Sequence, residues 1–277
     1  MASASLPTLF TLPIIPSPDA KPIGSITCQQ PSKGVYLLIF GSAPDNRLLS
    51  CFCQTFLLAL DILEFEYPTG VVITTSAIPK FYSNGLDLEH ATTTDGFLPN
   101  SLWALFKRLI TYPMPTIALI NGHAFAGGFM LAMYHDYRIF SPTRGFLCIN
   151  ELEFGVPLLP PMSSIFRQKL DPSVYKAVVL EAKRWNGKDA LENRIVDGLG
   201  GLDEALTLVK ERKLTLMGKT GIYGTMKEEM FKETLGYLAS KENAKLVGDL
   251  PEEEVKRRDN GKRRVAEWKK STPKPKL

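Results

Sequence analysis

No cysteine framework, dinucleotide fingerprint or membrane-length apolar run occurs in these 277 residues, and each absence removes a class of function. The four cysteines, Cys28, Cys51, Cys53 and Cys148, are too few to staple a chain of this size. Cys51-Phe52-Cys53 is too close for a usual metal pair and has no histidine nearby, so reduced, buried thiols of an intracellular protein are expected. The longest apolar region, around 116–133, is interrupted by Asn121, His123 and three glycines, and no membrane span is expected. No Lys or Arg precedes Lys21, and Pro7, Pro13, Pro16 and Pro18 break any early helix, which argues against a secretory or mitochondrial leader. Gly122 and Gly127 have the spacing of a P-loop, but Gly128-Phe129 stand where lysine and a hydroxyl would be needed. The net charge of +4 is uneven: residues 251–277 hold ten Lys/Arg against five Asp/Glu, leaving 23 against 24 elsewhere. A basic body able to grip nucleic acid is therefore missing, and the basic end reads as a solvated tail.

What is present is a globular composition, 44% hydrophobic and 10% aromatic, enough for one large domain or a domain with an appendage. Residues 1–32, rich in Pro, Ser and Thr, read as an arm with one strand near Ser25-Ile26-Thr27-Cys28. Strands are expected over 35–40, 71–75, 116–120, 137–141 and 146–149, and helices over 48–64, 98–109 and 127–135. Beyond Trp185 the chain turns helical, with candidates over 188–192, 202–216, 227–238 and 252–268. This alternation gives an α/β class.

Two turns stand out. The strand over 116–120 runs into Asn121-Gly122-His123-Ala124-Phe125-Ala126-Gly127-Gly128 and then a helix, a layout that aims free backbone N–H groups at whatever lies in front. Gly127 and Gly128 are expected to let the chain bend sharply and a ligand come close; the alternative is that they only let the helix pack tightly. The strand over 71–75 leads to Phe81-Tyr82-Ser83-Asn84-Gly85-Leu86-Asp87-Leu88, a second small-residue turn. With phosphate chemistry set aside, two such turns fit an oxyanion that exists only during reaction.

These two segments, followed in order by Asp136-Tyr137-Arg138-Ile139 and Asn150-Glu151-Leu152-Glu153-Phe154-Gly155-Val156-Pro157-Leu158, resemble the crotonase (enoyl-CoA hydratase/isomerase) superfamily over roughly residues 33–200. The resemblance implies a spiral of stacked ββα turns over 33–200, an arm over 1–32, and a helical region over 201–277 that packs across a trimer. It implies an acyl-CoA substrate held by Ser83, Asn84, Gly85, Leu86, Asp87, Leu88 and Gly127. The N–H groups of Leu86 and Gly127 would bind the thioester oxygen, with Arg47 near the adenine end of coenzyme A. The basic tail is a second candidate for its phosphates. Glu151 would be the catalytic base, in a loop beside apolar residues that desolvate it and raise its pKa. Glu153, two residues on, lacks the four-residue spacing to Gly155. His123 and Asp87 read as loop and helix-end partners, Asp136 as a partner at the rim of the core.

The closest likeness is to Δ3-Δ2-enoyl-CoA isomerases. Hydratases of the superfamily carry a second glutamate where this chain has Met130, and a glycine-rich segment where it has Leu158-Leu159-Pro160-Pro161. Dienoyl isomerases carry a further acid on the glycine-turn helix, and none stands between Gly127 and Tyr134. No metal or cofactor beyond the substrate's own coenzyme A is implied. Hydratase, dienoyl-CoA isomerase, acyl-CoA hydrolase and non-catalytic acyl-CoA binding are the alternatives. Pro275-Lys276-Leu277 resembles the peroxisomal tripeptide typified by Ser-Lys-Leu, which implies an import receptor as partner; without it the location is cytosolic.

Overall fold

The computed structural model describes residues 6–246 and 252–271. Strands β1 (Thr8–Ile14) and β2 (Gly24–Ser32) pair antiparallel, and β2 pairs antiparallel with β3 (Val35–Ser42). The expected arm is therefore two strands of the main sheet. The prolines misled the sequence reading: Pro13 lies on β1, which is the sheet edge, and Pro31 sits where the β2–β3 register shifts. Both are places where a missing N–H is tolerated.

Helix α1 (Ser50–Glu66) follows, with Phe52, Phe56, Leu60 and Leu63 forming its buried stripe. Then the chain makes three strand–strand–helix turns. β4 (Val71–Ser76) joins the large sheet and β5 (Phe81–Ser83) a small one, before α2 (Leu88–Thr93) and α3 (Trp103–Ile110). β6 (Thr116–Ile120) joins the large sheet and β7 (His123–Phe125) the small one, before α4 (Gly127–Met133). β8 (Tyr137–Phe140) and β9 (Leu147–Cys148) repeat the step before α5 (Glu151–Phe154), α6 (Pro160–Lys169), α7 (Pro172–Leu180) and α8 (Gly187–Glu192). β10 (Gly198–Leu199) completes a seven-stranded sheet of order β1-β2-β3-β4-β6-β8-β10, parallel from β3 onward, beside the three-stranded parallel β5-β7-β9. Every residue of β6 is buried, as a parallel strand covered on both faces should be.

Helices α6 and α7 lie in a stretch to which periodicity assigns no element. Their prolines sit in the first turn, where no intrahelical N–H is lost. The helix expected over 98–109 begins with a π-helical turn, Leu98–Leu102. Further on, α9 (Leu202–Glu211) is shorter than expected and yields to a 3₁₀ stretch, Leu214–Thr220. The helix expected over 227–238 is two, α10 (Tyr223–Met230) and α11 (Lys232–Ala239), divided at Phe231. The chain divides into compact units Met1–Leu246 and Val247–Leu277, so the first contains the β1–β2 pair and α9 to α11 as well as the spiral. The second contains α12 (Glu252–Ser271). Pro275-Lys276-Leu277 lies outside the described residues. Among the described residues no helix is long and apolar enough to cross a membrane.

Candidate active site

The small sheet places two turns against each other. After β5, Ser83 Oγ donates to Asn46 O (2.8 Å) and accepts from Gly85 N (3.2 Å), so this predicted ligand contact is a tie within the loop. Gly85 takes φ +86°, where a Cβ would lie 2.9 Å from Phe125 O and 3.0 Å from Gly127 N. Glycine is needed there for both conformation and space. Asp87 accepts from His90 N (2.8 Å) and caps α2, as expected of a helix-end residue. Asn84, Leu86 and Leu88 line a cavity of about 250 Å³.

The second turn differs from expectation in one respect. Ala126, not a glycine, makes the bend, with φ +50° and ψ −124°. Gly127 and Gly128 serve close packing: a Cβ on Gly128 would stand 2.2 Å from Ser83 O, and one on Gly127 3.2 Å from Leu86 Cδ2. The turn that bears Gly127 N–H is thereby pressed onto the turn that bears Leu86 N–H. Among the described residues neither of these N–H groups has a protein acceptor. Ala126 lines the cavity, whereas Gly127 is buried and is not among the lining residues.

Glu151 lines the same cavity, on the first residue of the one-turn helix α5 rather than in a loop. Ala126 N donates to Cys148 O (2.9 Å), which fixes the strand just before it. Gly155 ends the turn in the left-handed region at φ +70°, which accounts for the Glu-x-x-x-Gly spacing. Glu151 is 9% exposed, and burial pushes its carboxyl pKa up to about 7 from the ordinary 4.5; a hydrogen bond from its own backbone N–H opposes this only in part. Its Oε2 is buried with no partner, and so is Oδ1 of the neighbouring Asn150, which lines the same cavity. Two orphaned acceptors side by side are costly unless a ligand supplies donors. Sequence reasoning passed over Asn150; its position beside Glu151 was the signal.

Among the described residues Glu151 is the one carboxylate on the cavity wall and Arg47 the one cation; Val156, Met162 and Leu246 make much of the remainder apolar. Met130 is fully buried in the core. Pro160 and Pro161 open α6, and the next two N–H groups both bond to Leu159 O, leaving no free donor there. His123 accepts from Phe146 N (3.1 Å) and packs among Phe81, Phe125 and Phe146; burial, Lys80 and Arg184 lower its pKa, so it holds the loop. Asp136 accepts from Thr116 N (2.9 Å) and pairs with Lys227 (2.9 Å), away from the cavity. Among the described residues no group of three or more potential metal ligands converges.

The profile of the enoyl-CoA hydratase/isomerase family matches residues 32–261. The chain belongs to this family. Among enoyl-CoA hydratase/isomerase relatives, the peroxisomal enoyl-CoA delta isomerase 1 of Arabidopsis thaliana is 34% identical over 178 residues, covering 61% of this chain and 74% of that protein. The peroxisomal enoyl-CoA delta isomerase 2 of the same plant is 28% identical over 219 residues, 74% of this chain and 91% of that protein. The crystal structure of human mitochondrial Δ3-Δ2-enoyl-CoA isomerase superposes with a TM-score of 0.69 at 23% identity, over 79% of this chain and 88% of that one. The fold is that of the family's solved members.

Proposed function

We propose that this family member is a Δ3-Δ2-enoyl-CoA isomerase. The observation that carries the reading is the single carboxylate that the described residues place on the cavity wall, its pKa pushed up to about 7 by burial and its buried Oε2 without a partner. Glu151 removes a proton from C2 of a 3-enoyl-CoA. The electron pair moves through the thioester and the C3–C4 double bond, giving a dienolate. The N–H groups of Leu86 and Gly127 hold the enolate oxygen, each such donor being worth ~10²–10³ in rate. Protonated Glu151 then delivers the same proton to C4, and the double bond comes to rest at C2–C3. One base serves both ends, so no water and no second acid take part. Met130 in place of a second glutamate, and the donor-free start of α6, favour this over hydration.

The names of the two Arabidopsis relatives agree with this activity and with a peroxisomal location. Assembly as a trimer or paired trimers is part of the same reading, favoured by the exposed Ile222, Met226 and Met230 on and beside α10. The test is a spectrophotometric assay on 3-enoyl-CoA and 2-enoyl-CoA. Wild-type protein should isomerise the first far faster than it hydrates the second, and Glu151→Gln should lose at least ~10³ in turnover. Near-wild-type turnover in that variant would end this mechanism; comparable hydration would show that water is held by another group.

A further inference from the structure

We infer that Arg47 is a positioning residue of the oxyanion site and not, as its place in the sequence implied, a contact for the phosphates of coenzyme A. Two of its three guanidinium nitrogens are engaged at the first turn and at Asp45, which itself holds Asn84. Nη1 donates to Leu86 O (3.0 Å) and Asn84 O (3.3 Å), and Nε to Asp45 Oδ2 (3.2 Å). The same Asp45 oxygen accepts from Asn84 Nδ2 (2.6 Å). The next residue completes the clasp, with Leu48 N donating to Gly85 O (2.9 Å). Three consecutive carbonyls, of Asn84, Gly85 and Leu86, are thus all drawn to one side by residues 47 and 48.

In a trans peptide the N–H points opposite to the C=O. Fixing Gly85 O on Leu48 therefore turns Leu86 N–H to the other side. Arg47 pins the peptides before and after, so this N–H cannot swing about Gly85, the flexible φ +86° residue at the centre of the turn. Only arginine presents several donors in a planar fork able to take two carbonyls and a carboxylate together; lysine is a single point charge on a flexible stem. Its charge also stands beside the turn whose N–H would meet developing negative charge.

This inference rests on the reading of Leu86 N–H as an oxyanion donor, and the experiment separates the two. A 3-ketoacyl-CoA ionises to an enolate that absorbs in the ultraviolet and carries the same oxyanion. Its ionisation is titrated free, bound to the wild-type full-length protein, and bound to Arg47→Met and Arg47→Lys. Alongside, kcat and KM are measured with a 3-enoyl-CoA at low and high salt. Binding to wild type should lower the pH at which the enolate forms. Arg47→Met should reverse much of that shift and reduce kcat about 10- to 100-fold with KM little changed. Arg47→Lys should fall between. A raised, salt-sensitive KM with kcat and the enolate signal intact would make Arg47 a phosphate contact and overturn the inference. No shift in the wild type itself would remove the oxyanion reading, and this inference with it. If Arg47→Met lacks a native circular-dichroism spectrum, the charge-retaining Arg47→Lys decides by the same two readouts.

Discussion

Glu151 carries two opposed demands. To act as a base it must be ionised, yet burial holds it up to about 7, so kcat/KM for isomerisation should rise with pH and level off above an inflection near that value. The folded-state pKa lies above the ordinary 4.5, so the protonated group is the one the fold favours. The stability this gives is fully present below the unfolded value and is lost as pH rises through about 7, a difference of order 3 kcal/mol. Glu151→Gln, inactive, should therefore unfold at higher denaturant than wild type at about pH 8, with the advantage vanishing towards about pH 5. Equal midpoints at both values would mean that the carboxyl is not desolvated. Ala126 is the other residue held against its own preference. Its φ of +50° with ψ −124° is a conformation glycine adopts without steric cost, whereas a residue with a Cβ stores about 1–3 kcal/mol there. Ala126→Gly should leave the midpoint of urea unfolding unchanged or raised and turnover within a few-fold; a clear loss of stability would show that the alanine methyl in the cavity wall matters more than the strain.

Helix α4 is the element that carries the second turn, and it is anchored at its far end. Lys169 Nζ, from α6, donates to Met133 O and His135 O at 2.6 Å each, and Arg138 also donates to His135 O (3.1 Å). These carbonyls belong to the last turn of α4 and just beyond, where no intrahelical partner remains. The same α6 supplies Met162 to the cavity, so one contact ties the wall to the oxyanion helix. Lys169→Met should destabilise the protein by about 1–3 kcal/mol in urea titration, since the donors to two enclosed carbonyls are lost. An unchanged midpoint would mean that solvent replaces the lysine at no cost. The register of the two glycine-bearing turns is likewise an element-level property: β5 and β7 pair through Phe81 with His123 and Ser83 with Ala124, which brings residues 84–86 level with 125–127.

For the whole molecule, the exposed apolar side chains of α10 are one feature that a single chain leaves unexplained. Met226 and Met230 are 65% and 67% exposed, one helical turn apart, beside the half-exposed Ile222. If a second copy of the chain covers them, sedimentation should give a trimer or its double for wild type, and Met226→Glu with Met230→Glu should shift the equilibrium to monomer without loss of the native spectrum. A wild-type monomer would remove that reading. The tail makes a separate prediction. Deleting Pro275-Lys276-Leu277 should leave purified activity intact and move an N-terminally tagged protein from peroxisomes to cytosol. Import of the truncated protein, expressed without full-length subunits, would show that another segment is read.

The sequence by itself determined the alternation of strands and helices and the two turns, because these are local: period-2 and period-3.6 apolar patterns, and Asn-Gly and Gly-Gly steps; Glu151 it singled out only through the resemblance of its segment, with Gly155 four residues on, to the family's catalytic one. It also made the absence of a second acid at Met130 legible, since identity at a position needs no coordinates. Only the tertiary structure decided which N–H groups lack acceptors, because that depends on where every other carbonyl goes. It decided that prolines 13 and 31 lie at a sheet edge and a register shift, and that prolines 160 and 161 begin a helix; proline forbids only interior donors, and sequence does not say where an interior will be. It made Ala126 the bend and Gly128 the packing contact, a distinction set by the 2.2 Å that a Cβ would leave to Ser83 O, a residue 45 positions away. And it placed Arg47 against the carbonyls of Asn84 and Leu86 as well as on the cavity wall, because where carbonyls converge on a long cationic side chain is a property of the fold.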